Sequence, residues 1–89
     1  MKAVIQRTGK ITSLAGSGKK NPAAFDIAAQ YGYKSVNVLD LENYQDIVWE
    51  GIEFNRLLTR NGVLYRFNEW FGKYPFDGIL IEEIGRLED

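Results

Sequence analysis

Glycine and lysine residues at positions 16–20 are the part of this sequence best suited to binding chemistry, because they lie between a predicted strand and a predicted helix. Backbone N–H groups at a helix start lack intrahelical partners and carry the positive end of the helix dipole, so they attract anions. Glycines let an anion approach the backbone, and neighbouring lysines add positive charge. We therefore expect non-catalytic capture of a phosphate-bearing small molecule, such as a nucleotide. The residues predicted to hold the phosphate are Gly16, Ser17, Gly18, Lys19, Lys20 and Asn21.

Residues 11–40 resemble the first strand–helix–strand unit of dinucleotide-binding domains. The pair Gly16 and Gly18 follows a predicted strand and precedes a predicted helix, and Asp40 ends the next predicted strand. The resemblance implies that Asp40 accepts a hydrogen bond from a ribose hydroxyl. Asn21 stands where the third glycine of that pattern is expected. The alternative to a phosphate site is a flexible connection whose lysines are solvated.

Composition excludes several kinds of catalysis. The chain has no cysteine and no histidine, so thiolate nucleophiles, Ser–His chemistry and imidazole metal ligands are absent. Glu82 and Glu83 are adjacent in a predicted strand and would point to opposite faces. Asp77 and Glu82 lack the lysine that metal-dependent nucleases place two residues later, where Ile84 stands. We expect a protein that is not an enzyme, with no catalytic residue, metal or cofactor.

An acidic helix offers a second function of a different class. Helical spacing over residues 41–60 would place four carboxylates in one stripe with Trp49 beside it, as in a hot spot with a charged rim. This pattern predicts an inhibitor or adaptor that binds a basic protein partner. The alternative without a binding function is that Trp49 packs against residues 63–71 and the carboxylates are simply solvated at the surface. The residues of this candidate surface are Glu42, Asp46, Trp49, Glu50 and Glu53.

The charge distribution and hydropathy define the expected partners and location. Net charge is −1, but six of the 11 basic residues and one of the 12 acids lie within the first 35 positions. Because the acidic remainder would repel a long polyanion, a small anion is a better ligand than a nucleic acid. No apolar run is long enough to span a bilayer, so we expect a cytoplasmic protein without a membrane partner. An aromatic content of 13% in a short chain predicts a homo-oligomer.

The elements that would position these residues follow from periodicity and turn signals. Residues 3–14 read as a hairpin, 21–32 as a helix, 35–39 as a strand, 41–60 as a longer helix and 78–82 as a final strand. Asn61-Gly62 suits either a hairpin turn or a helix C-cap, and the helical pattern upstream favours the cap. Apolar residues in 63–71 share a helical face, which favours a short helix over a strand.

These elements predict one small domain over residues 1–89 of the mixed α/β class. An N-terminal hairpin and strand–helix–strand units would form a mixed sheet of three or four strands, covered by two or three helices. The strands at 11–14 and 35–39 would be parallel, with the phosphate site at their C-terminal ends.

Overall fold

The computed structural model describes residues 1–16, 23–51, 55–74 and 76–89. These residues form six strands, two short α-helices and two 3₁₀ turns. In chain order the strands are β1 (Lys2–Ile5), β2 (Ile11–Ala15), β3 (Lys34–Asn37), β4 (Arg56–Arg60), β5 (Val63–Phe71) and β6 (Gly78–Glu88). The helices are α1 (Ala24–Ala29) and α2 (Tyr44–Ile47), and the 3₁₀ turns span Val38–Asp40 and Val48–Glu50.

The six strands form one curled antiparallel sheet in the order β1, β6, β5, β4, β3, with β2 also paired to β6. The long strand β6 carries β1 and β2 end to end along one edge, since Lys2 is opposite Glu88 and Ala15 is opposite Gly78. The hairpin predicted over residues 3–14 is therefore wrong: both strands exist, but each pairs with β6 rather than with the other.

The predicted mixed α/β class is also wrong. Strands make up 48% and helices 20% of the described residues. Helices α1 and α2 have six and four residues, about 9 and 6 Å long, whereas the eleven residues of β6 extend over roughly 35 Å. The two helices are therefore too short to cover the sheet. Strands β2 and β3 run in the same direction, but β6, β5 and β4 lie between them.

Most of the long helix predicted over residues 41–60 is replaced by turns and a strand. Among residues 41–51 and 55–60, which the structure describes, only α2 and the turn Val48–Glu50 are helical, and β4 begins at Arg56. Asn55 has a φ of 56°, which ends the helical direction ahead of that strand. Asn61 and Gly62 have φ values of 55° and 78°, so they form the hairpin turn between β4 and β5. The C-cap interpretation of Asn61-Gly62 is wrong for this reason.

Residues 63–71 form strand β5, not a helix, and a β-bulge explains the helical spacing. Phe67 is opposite Ile81 and Trp70 is opposite Ile79, with a register shift between Phe67 and Glu69. One extra residue in the strand places Phe67 and Trp70 on the same face although they are three positions apart. Their rings pack edge to face with centroids 5.6 Å apart.

Two apolar clusters form the core on opposite faces of the sheet. Adjacent residues Leu57 and Leu58 are both buried and belong to different clusters, as the alternation of a strand requires. Helix α1 contributes Phe25 and Ile27 to one cluster, and α2 contributes Ile47 to the other. No helix in the described part of the chain has the length and apolar character needed to cross a membrane.

Candidate functional site

Trp49 is the most exposed large hydrophobic side chain that the structure describes, with 85% of its surface accessible. It lies in the 3₁₀ turn Val48–Glu50, directly after α2. Ile47 is only 1% exposed, and Val48 packs against the same core cluster. The backbone on the N-terminal side of Trp49 is therefore anchored in the core while the indole ring projects into solvent.

Glu50 anchors the other side of the turn through an ion-pair network, hereafter the Glu50 network. Its Oε2 accepts hydrogen bonds from Arg7 and from Nη1 of Arg66, the latter at 3.3 Å. Arg7 also donates from Nη1 to Oε2 of Glu82 at 2.9 Å. Arg66 and Glu82 are opposite each other on β5 and β6. The turn that carries Trp49 is thus connected to the centre of the sheet.

The electrostatics of the network favour the charged form of Arg7. The hydrogen bond to Glu50 raises the pKa of the Arg7 guanidinium, partial burial opposes this rise, and the hydrogen bond to Glu82 reinforces it. The three pairs lie near the surface, with side-chain exposures between 16% and 39%. We infer that the network fixes the geometry of the turn more than it stabilises the whole fold.

The carboxylates of the predicted acidic surface have different environments. Asp46 is exposed, and Glu42 lies 3.6 Å from the N-terminal amine. Glu50 is part of the Glu50 network and does not belong to a solvated stripe. Glu53 lies outside the described residues. A continuous acidic stripe on one long helix is therefore absent from residues 41–51, because that segment turns twice instead of continuing as a helix.

The segment around Trp49 is nevertheless strongly acidic. No lysine or arginine occurs between residues 35 and 55, and Asp40, Glu42 and Asp46 are all exposed. Leu39 and Tyr44 in the same segment are also exposed, at 50% and 39%. The segment combines exposed apolar side chains with exposed carboxylates and has no lysine or arginine of its own, which suits a basic partner surface.

The predicted phosphate site is described only at its two ends. Gly16 follows β2, and its N–H donates to the Asp77 carbonyl at 2.5 Å. Asp40 is exposed in the turn after β3, and three strands separate β3 from β2 in the sheet. Ser17, Gly18, Lys19, Lys20 and Asn21 lie outside the described residues. Phosphate binding by this loop stays a prediction.

The carboxylates considered for catalysis have structural partners. Glu82 belongs to the Glu50 network, and Glu83 accepts a hydrogen bond of 3.1 Å from the Thr8 hydroxyl. Within the described ranges, no group of three or more acidic side chains is arranged to hold a metal ion.

Sequence reasoning missed a polar cleft between the turn before β3 and the turn between β4 and β5. Its volume is about 360 Å³, and its lining includes Lys34 and Arg60. The Asn61-Gly62 signal could have revealed it, since a hairpin at that position places Arg60 at a strand end.

Comparisons of the chain with protein-family models, with curated proteins and with solved structures gave no match.

Proposed function

We propose that this protein is a non-catalytic binding module, acting as an inhibitor or adaptor, that inserts Trp49 into a pocket of a basic protein partner. The observation that carries the proposal is an indole 85% exposed on a turn held between the core residue Ile47 and the Glu50 network. Burying a tryptophan side chain removes roughly 200 Å² from water, which is worth about 5 kcal/mol before the costs of association.

Preorganisation is the main support for this reading. A side chain on a mobile loop loses conformational freedom when it binds, and this loss offsets part of the gain from burial. Here the residues on either side of Trp49 are already fixed, so only the ring's own rotation is lost on binding. Tryptophan is also among the residue types that dominate binding energy at protein interfaces.

Charge supports a basic partner in particular. The exposed carboxylates of Asp40, Glu42 and Asp46 precede Trp49 in the chain, and no lysine or arginine lies between residues 35 and 55. Such charges raise the association rate with a positively charged surface and disfavour acidic competitors.

The test is affinity capture from the source cells with three baits: the wild-type protein, Trp49→Ala and Tyr74→Ala. Tyr74 is 66% exposed in the β5–β6 connection and serves as the matched aromatic control. We expect a basic protein to be retained by wild type and Tyr74→Ala and lost by Trp49→Ala. With the purified partner, Trp49→Ala should raise the Kd by about thirtyfold or more. Equal retention by all three baits would refute the proposal.

Capture of a phosphate-bearing small molecule at residues 16–21 is a second proposal. Its structural support is that the hydrogen bond from Gly16 to Asp77 fixes the start of this loop at one end of the sheet. A Cβ atom at Gly16 would lie 3.0 Å from the Asp77 carbonyl oxygen, so a larger residue would disturb the anchor. Native mass spectrometry of the purified protein should show a bound small molecule that a Gly18→Ala, Lys19→Ala, Lys20→Ala variant loses.

A further inference from the structure

We propose that the polar cleft lined by Lys34 and Arg60 is a binding site for the phosphate group of a small molecule. The cleft lies where two turns meet at one end of the sheet. Its volume, about 360 Å³, is within the range of small-ligand sites. Its lining residues are Gly32, Lys34, Thr59, Arg60, Asn61 and Gly62. This site lies at the opposite end of β3 from Asp40, so it is distinct from the predicted glycine-loop site.

Strand pairing fixes the positions of the groups that line the cleft. Lys34 is directly opposite Thr59 on the β3–β4 pair, and Arg60 follows Thr59 at the end of β4. Gly32 has a φ of 86°, and a Cβ atom there would lie 3.9 Å from Nε of Arg60. The arginine side chain therefore lies beside the glycine turn, where the lack of a side chain leaves room for a ligand.

Aromatic packing orients Arg60. Its guanidinium carbon lies 5.4 Å from the centre of the Tyr33 ring, and Tyr33 is only 7% exposed. The Tyr33 ring is in turn held edge to face against Tyr65, with centroids 5.1 Å apart. Because the ring is fixed, the guanidinium keeps its donors available without first losing much conformational entropy.

The positive charge of the cleft has no carboxylate partner among the described residues. No aspartate or glutamate described in the structure lies within ion-pair distance of Lys34 or Arg60, whereas Arg7, Arg66 and Arg86 are all paired. Glu83, whose charge raises the pKa of Tyr65 whereas that of Arg60 lowers it, accepts a hydrogen bond from the Thr8 hydroxyl. The Thr59 hydroxyl donates its proton to the Val63 carbonyl at 2.9 Å, so the donors left for a ligand are the charged side chains of Lys34 and Arg60. A phosphate carries the charge and the acceptor oxygens that an arginine and a lysine together can bind.

The test is an NMR titration of the ¹⁵N-labelled protein with inorganic phosphate and, separately, with ribose 5-phosphate. We expect saturable shifts of the Gly32, Lys34, Asn61 and Gly62 amides that sodium chloride at equal ionic strength does not produce. A similar response to both probes would show that the phosphate group alone is recognised. A response to ribose 5-phosphate only would show that the site needs a phosphomonoester with an organic group.

Charge-matched variants provide the control. Lys34→Gln with Arg60→Gln should weaken binding at least tenfold, whereas Lys2→Gln with Lys10→Gln, which removes two exposed charges elsewhere, should leave the affinity unchanged. Both variants should keep dispersed spectra. Absence of saturable shifts, or an equal loss of affinity in both variants, would overturn the proposal. Shifts confined to residues 16–21 would also overturn it and would favour the glycine-loop site.

Discussion

Arg66, in the middle of β5, donates a hydrogen bond of 3.3 Å to Glu50, the residue that follows Trp49. This contact joins a surface turn to the sheet across 16 positions of sequence. Arg66 also has a buried Nε without a hydrogen-bond partner in the structure, so Glu50 is a major source of compensation for its charge. The contact explains how a tryptophan in solvent can have a fixed backbone.

The first prediction concerns the stability contributed by Glu50. Glu50→Gln should lower the free energy of unfolding by about 1 kcal/mol, because it weakens charge-assisted hydrogen bonds that are only partly screened by solvent. Glu42→Gln should change it by less than about 0.5 kcal/mol, because the Glu42 pair with the N-terminus is exposed. Urea unfolding of the two variants measures the difference, and equal effects would contradict the role given to Glu50.

The second prediction uses the two tryptophans as separate probes. Trp70 is partly buried and stacks on Phe76 with centroids 4.9 Å apart, whereas Trp49 is exposed. Trp70→Phe should leave red-shifted emission that acrylamide quenches readily, and Trp49→Phe should leave blue-shifted, protected emission. When each ion's quenching is divided by its quenching of free N-acetyltryptophanamide, caesium should quench Trp49 better than iodide does, because the surrounding segment is acidic. Equal quenching by the two ions would argue against an acidic surface around the indole.

The third prediction concerns pH. Burial, together with the nearby Tyr33 and Glu83, raises the pKa of Tyr65 above its ordinary value of 10.0. The folded state holds the phenolic proton of Tyr65 more tightly than the unfolded state does. The contribution of this residue to the free energy of unfolding is therefore fully present below pH 10 and is lost as the pH rises through the folded-state pKa. The free energy of unfolding should therefore fall less above pH 10 in Tyr65→Phe than in wild type. Parallel pH profiles of the two proteins would show that Tyr65 does not contribute.

The fourth prediction concerns association between copies of the chain. Ile5 and Ile11 are 38% and 47% exposed on the edge formed by β1 and β2, where an apolar contact between copies could form. We expect sedimentation velocity to show a homo-oligomer that Ile11→Lys dissociates, whereas Leu39→Lys, at an exposed site after β3, leaves it intact. A monomeric wild-type protein at micromolar concentration would contradict the expected homo-oligomer.

The sequence predicts the positions of several turns, but not always which secondary-structure elements those turns connect. The strand at 11–14 is confirmed, and a helix does precede Gly32, although it spans Ala24–Ala29 and not 21–32 because Ala23 is extended. Gly32 has the left-handed conformation that a glycine after a helix predicts. Asn61-Gly62 predicts a break in the chain, but the apolar spacing upstream favours a helix ahead of it. Most of that spacing lies ahead of β4, and only Leu58 belongs to the strand, where Leu57 and Leu58 are buried on opposite faces.

The candidate sites likewise combine local features, which the sequence shows, with contacts between distant residues, which it does not. The sequence leaves Trp49 either exposed or packed against residues 63–71, and the structure shows it exposed. Composition alone gives the negative charge of its segment. The partners of Glu50 were not predictable, since Arg7 and Arg66 are 43 and 16 positions away. Nor was the Lys34–Arg60 cleft, because it requires β3 to pair with β4.

The sequence by itself determined the absence of cysteine and histidine chemistry, the uneven charge and the positions of several turns. These properties depend on residue types or on conformations within a few positions. The tertiary structure alone decided that β1 and β2 share the edge of β6, that the bulge after Phe67 keeps Trp70 on the same face, and that Glu50 turns towards Arg66. Strand pairing joins segments up to the full length of the chain apart, and it is selected by the simultaneous burial of two apolar faces, which no local spacing encodes.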